Sequence, residues 1–255
     1  MNIKILVATH KKYRMPSDEM YFPIHVGKAG KNLELGYVGD NTGDHISEKN
    51  STFCELTGIY WAYKNLDAEY IGLTHYRRHF TRYNKGRDKF GNILSQNQLE
   101  SLLRETSIIL PKKRHYFIET NYSHYIHAHH KEGIDLLGEI IRKKHPSYLA
   151  SYDNFMKRTS AHMFNMFIMR KDYFDAFCKW MFPILFEIEK RLDITDYSTY
   201  EKRVFGFLAE RMLDIWIDAN HLSYKELPIM FMESQNWLAK GFAFLKRKFV
   251  PTYKI

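Results

Sequence analysis

The segment at residues 69–80, EYIGLTHYRRHF, decides how the rest of the chain is interpreted. Its apolar part, 70–73, has the composition of a buried β-strand. The strand ends abruptly in four polar side chains, those of His75, Tyr76, Arg77 and Arg78. Because an imidazole, a phenol and two guanidinium groups are costly to bury, we expect them at the open end of the strand, where an anionic group can meet them.

The sequence on either side of this strand alternates between strand and helix patterns. Short apolar runs predict strands at 3–8, 33–38 and 107–111, and helical spacing of apolar side chains predicts helices from residue 51 and over 99–104. Asn50 or Ser51 is suited to cap the first of these helices. Strands that alternate with helices are typical of the α/β class, in which ligands bind at the carboxyl ends of the strands.

The second half of the chain is richer in helix patterns. We expect an amphipathic helix at 133–144, a strand at 163–170 and two long helices rich in aromatic residues after it. No Gly/Ser-rich linker or internal repeat divides the chain, so residues 1–255 are predicted to form one domain. Within it, residues 1–115 form the sheet-rich half, 116–235 the helical half and 236–255 a basic aromatic tail.

Composition limits the function classes. The chain has 255 residues, a formal net charge of +9, and 45% hydrophobic and 16% aromatic residues, which indicates a packed protein with anionic partners. Its two cysteines, Cys54 and Cys178, lie in apolar patterns and are interpreted as reduced core thiols. The first residues resemble a strand rather than a signal peptide, and no apolar run reaches the roughly 18 residues of a transmembrane helix. We therefore predict a cytoplasmic protein.

One segment is crowded with four histidines, His124, His127, His129 and His130. Their spacing fits no standard tetrahedral zinc set and no cysteine or acid pair accompanies them, so we expect no metal here. Contact of one or two of them with a substrate is the better interpretation, with His130 as the candidate. The chain also lacks a P-loop, a GxGxxG turn and a GxSxG elbow, and its aromatic residues fall at core spacing, which argues against nucleic-acid binding.

The polar end of the 70–73 strand suggests one chemistry. In nucleotide-sugar transferases of the GT-A type, a strand at a comparable place in the chain ends in an Asp-x-Asp pair, and the metal ion that it holds neutralises the diphosphate leaving group. Here Arg77 and Arg78 take that place, and guanidinium groups bind phosphate oxygens in a bidentate manner. The alternative is that both arginines are surface charges and that His75 is a hydrogen-bonded core residue.

Five motifs, in this order along the chain, resemble one bacterial family. They are HKKY (10–13), ISEKNSTFCELTGIYWAYKN (46–65), YIGLTHYRRHF (70–80), FNMFIMRKDYFDAFCKWMFPIL (164–185) and YEKRVFGFLAERML (200–213). Over residues 3–217 the chain is similar to the capsular and exopolysaccharide glycosyltransferases long carried as a domain of unknown function, some of which are assigned galactosyl- or galactofuranosyltransferase activity. It differs at Lys12, where the family commonly has a proline.

The resemblance implies a GT-A-like α/β fold, a UDP-sugar donor, and a polysaccharide or lipid-linked oligosaccharide acceptor. The transferred sugar would be a hexose, with galactose or galactofuranose favoured, and the reaction would be inverting and independent of a divalent metal. Residues 1–115 would bind the nucleotide sugar and 116–235 the acceptor. The rival hypothesis is a non-catalytic basic protein that binds polysaccharide or an assembly complex.

Donor-binding residues are predicted from their places in the chain. The first strand ends in Thr9, His10 and Lys11, where loops of open α/β sheets line the ligand pocket. The loop before the first helix contributes candidates for uridine or donor-sugar contacts, namely Asp44, Ser47, Lys49 and Asn50, of which Asn50 has helix capping as its alternative role. The predicted donor and diphosphate site is completed by His75, Tyr76, Arg77 and Arg78.

The second half supplies the candidates for substrate binding and for the chemical step. Asn165 interrupts an apolar strand and needs hydrogen-bond partners, which a sugar hydroxyl or the protein itself can provide. One helix face carries Arg203, Glu210 and Arg211 at seven- and eight-residue spacing, which fits either an internal ion pair or a site-facing acid. For the carboxylate that takes the acceptor's proton we predict Asp196 first, with a helix cap as its alternative role, and Glu210 second.

The tail at 236–255 combines aromatic residues with five cations and contains no acid. Such a segment can lie on an anionic membrane leaflet, where each cation near the surface contributes about 1 kcal/mol. We therefore predict peripheral association with the inner face of the cell membrane through this tail. The alternative is that its aromatic residues pack on the rest of the protein.

Overall fold

The computed structural model describes residues 1–83 and 88–233, in which eleven β-strands and eight α-helices form a mixed α/β fold. The strands are β1 (Ile3–Thr9), β2 (Tyr21–His25), β3 (Val38–Gly39), β4 (Tyr70–His75), β5 (Arg78–Phe80), β6 (Ile108–Pro111), β7 (Arg114–His115), β8 (Ser160–Ala161), β9 (Phe167–Arg170), β10 (Lys225–Leu227) and β11 (Ile229–Phe231). The helices are α1 (Asn50–Phe53), α2 (Leu56–Asn65), α3 (Gln96–Leu103), α4 (Asn121–Ala128), α5 (Lys131–Lys144), α6 (Leu149–Lys157), α7 (Lys171–Arg191) and α8 (Val204–Ala219). The tail at 236–255 lies outside the described residues, so its membrane association stays a prediction.

A central sheet has the strand order β10-β6-β9-β4-β1-β2-β3, with β5 and β11 as a branch beside β4. β1 pairs in parallel with β2 and β4, whereas β9 runs antiparallel to its neighbours β4 and β6. The carboxyl ends of β1, β2, β4 and β6 therefore meet at one edge of the sheet, together with the amino end of β9. We call this the carboxyl edge. Because β9, β10 and β11 join the sheet, the two predicted halves of the chain share it.

Side chains of β1 alternate between two apolar layers, because successive residues of a strand point to opposite faces. Leu6 and Ala8 pack in the larger layer with α2, α5, α7 and α8, and Ile5 and Val7 pack in the smaller layer with α3. Both faces of the sheet are thus covered, which explains the uninterrupted apolar runs of its strands. Among the described helices, none is long and apolar enough to cross a membrane.

β4 and β9 are in close contact at Gly72. A Cβ atom at this position would lie 2.9 Å from Ile168 Cγ1 and 2.9 Å from the Phe167 carbonyl O. A side chain there would force the two strands apart. The glycine therefore permits the pairing that brings the residues before β9 to the carboxyl end of β4.

The strand predicted at 33–38 is wrong over 33–37, and only its last residue belongs to a strand, the two-residue β3. The second strand lies earlier, at Tyr21–His25. Pro23 hides this strand in the sequence, because proline has no N–H for a strand ladder and is confined to sheet edges. In the described sheet, β3 pairs only with Ile24 and His25, so no strand is registered with Pro23 on that side. The strands predicted at 3–8, 70–73 and 107–111 are confirmed as β1, β4 and β6.

The helix predicted from residue 51 is divided in two at Cys54, which has a left-handed φ of 55°. The predicted side-chain cap by Asn50 or Ser51 is not formed. Asn50 Nδ2 instead donates to the Cys54 carbonyl O at 2.7 Å and to Thr57 Oγ1 at 3.2 Å. The second piece, α2, has Glu55 as its N-cap residue, which places a carboxylate at the positive end of the helix.

In the second half, the helix predicted at 133–144 is confirmed as α5, and the two long helices are confirmed as α7 and α8. The strand predicted at 163–170 begins later, at Phe167, because Phe164 and Asn165 adopt left-handed conformations with φ of 77° and 53°. Such conformations are strained in residues other than glycine and cluster at functional sites. Asn165 therefore lies in a turn before β9 and not inside a strand.

Candidate functional site

The polar segment that ends β4 forms a tight hairpin turn. His75 pairs with Arg78, the first residue of β5, and Tyr76 and Arg77 connect them at the carboxyl edge. Tyr76 is buried, His75 and Arg78 are partly buried, and Arg77 is exposed. The two guanidinium groups of the turn lie in different environments. Arg77 lies near the loop after β1, and Arg78 lies near the turn before β9.

The first environment is built around the ring of Tyr76. The guanidinium carbon of Arg77 lies 4.9 Å from the ring centroid, and Lys11 Nζ lies 5.3 Å from it. His10 and Tyr13 meet the same ring in edge-on contacts, at centroid distances of 5.5 Å and 5.0 Å. Cation–π contacts hold these cations in place and leave N–H groups for other partners, which suits an anion. We call His10, Lys11 and Arg77 around Tyr76 the cationic surface.

The electrostatics of this surface are those of an anion site. Burial lowers the pKa of His10, and the charges of Lys11, Lys31 and Arg77 lower it further. A histidine surrounded by cations marks a region of positive potential. Arg77 Nη1 donates to Glu233 Oε2 at 3.0 Å, but the two side chains are 43% and 41% exposed. Because exposed ion pairs contribute little, an anionic ligand can replace this bond.

The loops around the cationic surface are held by buried polar side chains. The hydroxyl of Thr9 donates to the Lys11 carbonyl O at 2.7 Å and shapes the turn that follows β1. Buried Asp40 accepts from two backbone N–H groups of the loop after β2, at 2.7 Å and 3.0 Å, and from the Ser47 hydroxyl. In this structure Thr9 and Ser47, both predicted to contact the donor, form hydrogen bonds within the protein.

Three more residues predicted to contact the donor have partners within the protein, namely Asp44, Lys49 and Asn50. The Asp44 carbonyl O accepts from Asn65 Nδ2 at 2.9 Å. Asn65 is the last residue of α2, and the chain continues from there to the amino end of β4, so Asp44 lies away from the carboxyl edge. Lys49 Nζ donates to Glu189 Oε1 at 2.7 Å, and Asn50 joins the two pieces of the divided helix. Their contacts with a donor stay predictions.

The second environment is the strained turn before β9. His75 Nε2 donates to the Phe164 carbonyl O at 2.7 Å, and Phe164 N donates to Glu210 Oε1 at 2.9 Å. Asn165 Nδ2 donates to Glu55 Oε1 at 2.7 Å. The turn therefore joins two carboxylates and an imidazole from three separate parts of the chain. We call Glu55, His75, Asn165 and Glu210 the carboxylate cluster.

The two carboxylates of the cluster have different surroundings. Both oxygens of Glu210 are engaged, Oε1 by Phe164 N and Oε2 by Arg211 Nη1 at 2.8 Å, and its side chain is 13% exposed. Burial raises the pKa of Glu210, and Arg211 opposes this rise. Glu55 is partly exposed, and within residues 1–83 and 88–233 no hydrogen bond engages its Oε2. Glu55 is therefore the carboxylate that can accept a proton from a ligand.

Arg78 lies beside the second environment and next to Arg77 of the first. Its guanidinium carbon is 4.5 Å from the centroid of the Phe164 ring. Burial lowers the pKa of Arg78, as does the neighbouring Arg77, but a guanidinium group stays protonated in proteins. Its charge lowers the pKa of Glu210 and so favours the ionised form of that carboxyl.

Arg203 lies at the margin of the carboxylate cluster, where its Nε donates to Cys54 Sγ at 3.1 Å. Burial raises the pKa of Cys54 to about 12, and the charge of Glu55 adds to the rise. The thiol is therefore protonated at neutral pH and is not suited to act as a nucleophile. Arg203 is exposed and stays a candidate for substrate binding.

Two predicted residues lie outside both groups. Asp196 is exposed in a turn between α7 and α8, and the helical turn that follows has Tyr200 as its N-cap residue. His130 Nε2 lies 3.2 Å from Glu201 Oε1, and its ring stacks on Tyr197 with centroids 4.0 Å apart. The base role of Asp196 and the substrate contact of His130 stay predictions.

Other histidines of the crowded segment are directed to separate neighbours. His124 stacks on Tyr116, and His127 Nδ1 donates to Glu119 Oε1 at 2.5 Å. Across residues 1–83 and 88–233, no group of three or more His, Cys, Asp or Glu side chains is arranged to hold a metal ion.

Glu55 is the member of the cluster that sequence reasoning missed. In the sequence it is an acid near the start of a helix, and Asn165 follows 110 residues later. Only the antiparallel pairing of β9 with β4 brings the two side chains together. The sequence did contain one signal for this pair, because Glu55 and Asn165 both lie in motifs, at 46–65 and 164–185, that resemble the same family.

Two comparisons with known proteins found similarity to this chain. Residues 4–221 match the family model described as a domain of unknown function, DUF4422. A solved structure described as the bifunctional glycosyltransferase WbbM in its apo form is similar, with a TM-score of 0.86 and 32% sequence identity. The match covers 92% of this chain and 46% of that chain, so this chain spans about half the length of the WbbM chain. A comparison with curated proteins found no match.

The likeness to WbbM confirms the α/β, GT-A-like fold that was expected from the sequence. Together with the family match, it supports a family related to glycosyltransferases, whereas the galactosyl subtype stays a prediction. The match over residues 4–221 covers most of the chain, and the chain therefore belongs to the DUF4422 family.

Proposed function

We propose that this protein is a glycosyltransferase that moves a hexosyl group from a UDP-sugar to a hydroxyl of a polysaccharide or lipid-linked oligosaccharide acceptor. The observation that supports this most is the cationic surface, where His10, Lys11 and Arg77 gather around one buried ring at the carboxyl edge. A similar structure at 32% identity is described as a glycosyltransferase. Galactose and galactofuranose are the favoured sugars because of the family resemblance.

In this proposal the diphosphate of the donor binds the cationic surface. Arg77 exchanges its exposed bond to Glu233 for phosphate oxygens, and Lys11 adds positive charge. His10, whose pKa is lowered by burial and by the neighbouring cations, takes up a proton when the diphosphate binds. Charge-assisted bonds stabilise the negative charge that develops on the β-phosphate as the bond between C1 of the sugar and its phosphate oxygen breaks. These cations would replace the metal ion that neutralises the leaving group in other GT-A enzymes, so the proposed reaction needs no divalent metal.

The carboxylate cluster would supply the base. Glu55 Oε2 takes the proton of the acceptor hydroxyl as that oxygen attacks C1 of the donor sugar, and UDP leaves with the electron pair of the broken bond. Asn165 holds Oε1 of Glu55. Glu210, held by Phe164 N and Arg211, fixes the turn that carries Asn165. Attack on the face opposite UDP makes the reaction inverting.

Other predicted residues keep proposed roles. Arg78 contacts the diphosphate from its place next to Arg77, and the acceptor is contacted by Arg203 and His130. Asp196 is the alternative base. Glu55→Gln and Asp196→Asn distinguish the two carboxylates, because the variant that lacks the base loses turnover while it retains UDP binding.

Thermal-shift measurements with UDP, GDP, CDP and TDP test the proposal. A ligand at about 100 times its Kd stabilises the folded state by about 2.7 kcal/mol. For a protein of this size that corresponds to a rise in Tm of about 5–10 °C. We expect this rise with UDP and a much smaller one with the other nucleotides. A protein that no nucleotide stabilises would instead fit the rival function, a non-catalytic protein that binds polysaccharide.

A further inference from the structure

An exposed aromatic tip follows β6 at the carboxyl edge, outside the two groups of the site. Phe117 is 85% exposed and Ile118 is 49% exposed. Phe117 has a left-handed φ of 58°, and Ile118 N donates to the Tyr116 carbonyl O at 2.6 Å, so Phe117 is the central residue of a γ-turn. A γ-turn with positive φ is rare and strained. The fold therefore holds a large apolar side chain outward at a cost in backbone energy.

The tip stands on a fixed base. Tyr116 is buried, its N donates to the Thr159 carbonyl O at 2.7 Å, and its ring stacks on His124 with centroids 3.8 Å apart. The Tyr116 hydroxyl lies 3.0 Å from Met163 Sδ, and Met163 directly precedes the strained turn of the carboxylate cluster. The tip and the candidate site are thus joined through packed side chains.

Exposed cations directly precede the tip in the chain. Lys112 and Arg114 are exposed, and the pairing of β7 with β8 holds Arg114 on a short ribbon. The acid next to the tip in sequence, Glu119, is buried and accepts from His127 Nδ1 at 2.5 Å, so it does not offset this charge at the surface. An apolar tip with cations beside it has the chemistry of a segment that inserts at the surface of an anionic bilayer.

We propose that residues 112–118 dock this protein on an anionic lipid surface. Phe117 and Ile118 enter the boundary between headgroups and acyl chains, and Lys112 and Arg114 meet the phosphate groups. A platform for sugar binding fits less well, because residues 112–118 contain no Asp, Asn, Glu or Gln to bind hydroxyl groups. Docking in this way places the carboxyl edge at the membrane. The proposal is independent of the reaction, because vesicle binding is measured without a donor.

Co-sedimentation of the full chain with vesicles of phosphatidylcholine containing phosphatidylglycerol, and with vesicles of phosphatidylcholine alone, tests the proposal. Phe117→Gly removes the ring and suits the left-handed backbone, so this variant should be at least as stable as the wild type. We expect it to lower partitioning onto anionic vesicles about ten- to hundred-fold, the effect of burying one Phe side chain. Phe117→Trp should retain the binding. Lys112→Gln and Arg114→Gln should each lower it about five-fold at low salt.

Tyr83→Ser is the matched control, because Tyr83 is 66% exposed beyond the far end of β5. Its partitioning should equal that of the wild type. If Phe117→Gly partitions onto anionic vesicles as the wild type does, the tip does not contact the membrane. Binding of the vesicles would then belong to another part of the chain, such as the tail at 236–255. If the wild type does not bind anionic vesicles while Phe117→Gly binds a soluble oligosaccharide more weakly, the tip is a sugar platform. Equal binding to neutral and anionic vesicles would overturn the role of the cations.

Discussion

Replacement of Glu55 by glutamine separates catalysis from folding at the carboxylate cluster. Glutamine keeps an acceptor for Asn165 Nδ2, which lies 2.7 Å from Glu55 Oε1, but it cannot take a proton from an acceptor hydroxyl. A positioned general base contributes about 10²- to 10⁴-fold to turnover, which is about 2.7–5.4 kcal/mol. We expect kcat to fall by this factor and KM for the UDP-sugar to change little, because the diphosphate binds at the cationic surface.

The effect of this substitution on stability should be small. Glu55 is partly exposed and is the N-cap residue of α2, where a carboxylate contributes about 0.3–1 kcal/mol. That contribution corresponds to a fall in Tm of about 1–4 °C for a protein of this size. Calorimetry and steady-state UDP release measure both quantities on one preparation. A much larger loss of Tm together with lost turnover would show that Glu55 is structural and would refute its assignment as the base.

Glu210→Gln makes the same chemical change at the second carboxylate and is the matched control. Glu210 accepts from Phe164 N and from Arg211 Nη1. The single amide oxygen of glutamine can keep the bond to Phe164 N, although the bond to Arg211 is lost. The amide should therefore hold the turn with a loss of kcat smaller than about 10²-fold. Glu210→Ala leaves Phe164 N–H without this acceptor and should destabilise the protein by about 1–3 kcal/mol. If Glu210→Gln lost turnover and Glu55→Gln did not, the two roles would be reversed.

Further predictions concern the cationic surface. Arg77→Ala should weaken UDP binding about 10- to 150-fold, the loss of a charge-assisted bond of about 1.5–3 kcal/mol, and Arg77→Lys should recover little because an ammonium group lacks the planar fork. Titration calorimetry measures the Kd for UDP of the wild type and of both variants, and equal Kd values for all three proteins would contradict the role of Arg77. Turnover should survive EDTA, and activity that chelation abolishes and a divalent ion restores would disprove neutralisation by arginine. A bound diphosphate should raise the pKa of His10 from its lowered value, so UDP-sugar affinity should increase as the pH falls from about 7.5 to about 6. Calorimetry in two buffers of different ionisation enthalpy should detect proton uptake in the wild type, and equal uptake in His10→Asn would assign it to another group.

Much of the sheet could be predicted because burial on both faces produces apolar runs. β1, β4 and β6 are covered by helices on both sides, and their sequences show it. β2 could not be predicted, because Pro23 interrupts its pattern and its outer neighbour β3 has only two residues. The division of the first helix at Cys54 was also hidden, since a left-handed φ at this residue is set by the packing around it and not by its own preference.

The cationic surface and the carboxylate cluster also differ in how far the sequence could predict them. The cationic surface could be predicted, because its members directly follow or end β1 and β4, which pair side by side. The carboxylate cluster could not, because Glu55 and Asn165 meet only through the antiparallel β9 and two consecutive left-handed residues. Ser47 shows another limit of prediction from the sequence. Its place in a loop predicted a contact with the donor, and in the structure its hydroxyl donates to buried Asp40.

Release of the nucleoside diphosphate from a panel of nucleotide sugars, measured in EDTA, tests the central claim most directly. We predict slow release by the wild type without an acceptor, faster from UDP-galactose or UDP-galactofuranose than from UDP-glucose, and negligible release from GDP- and TDP-sugars. Arg77→Ala and Glu55→Gln should both lower the rate, one through the leaving group and the other through the base. A folded wild type that releases no UDP from any of these sugars, with or without a divalent ion, would contradict the proposed function.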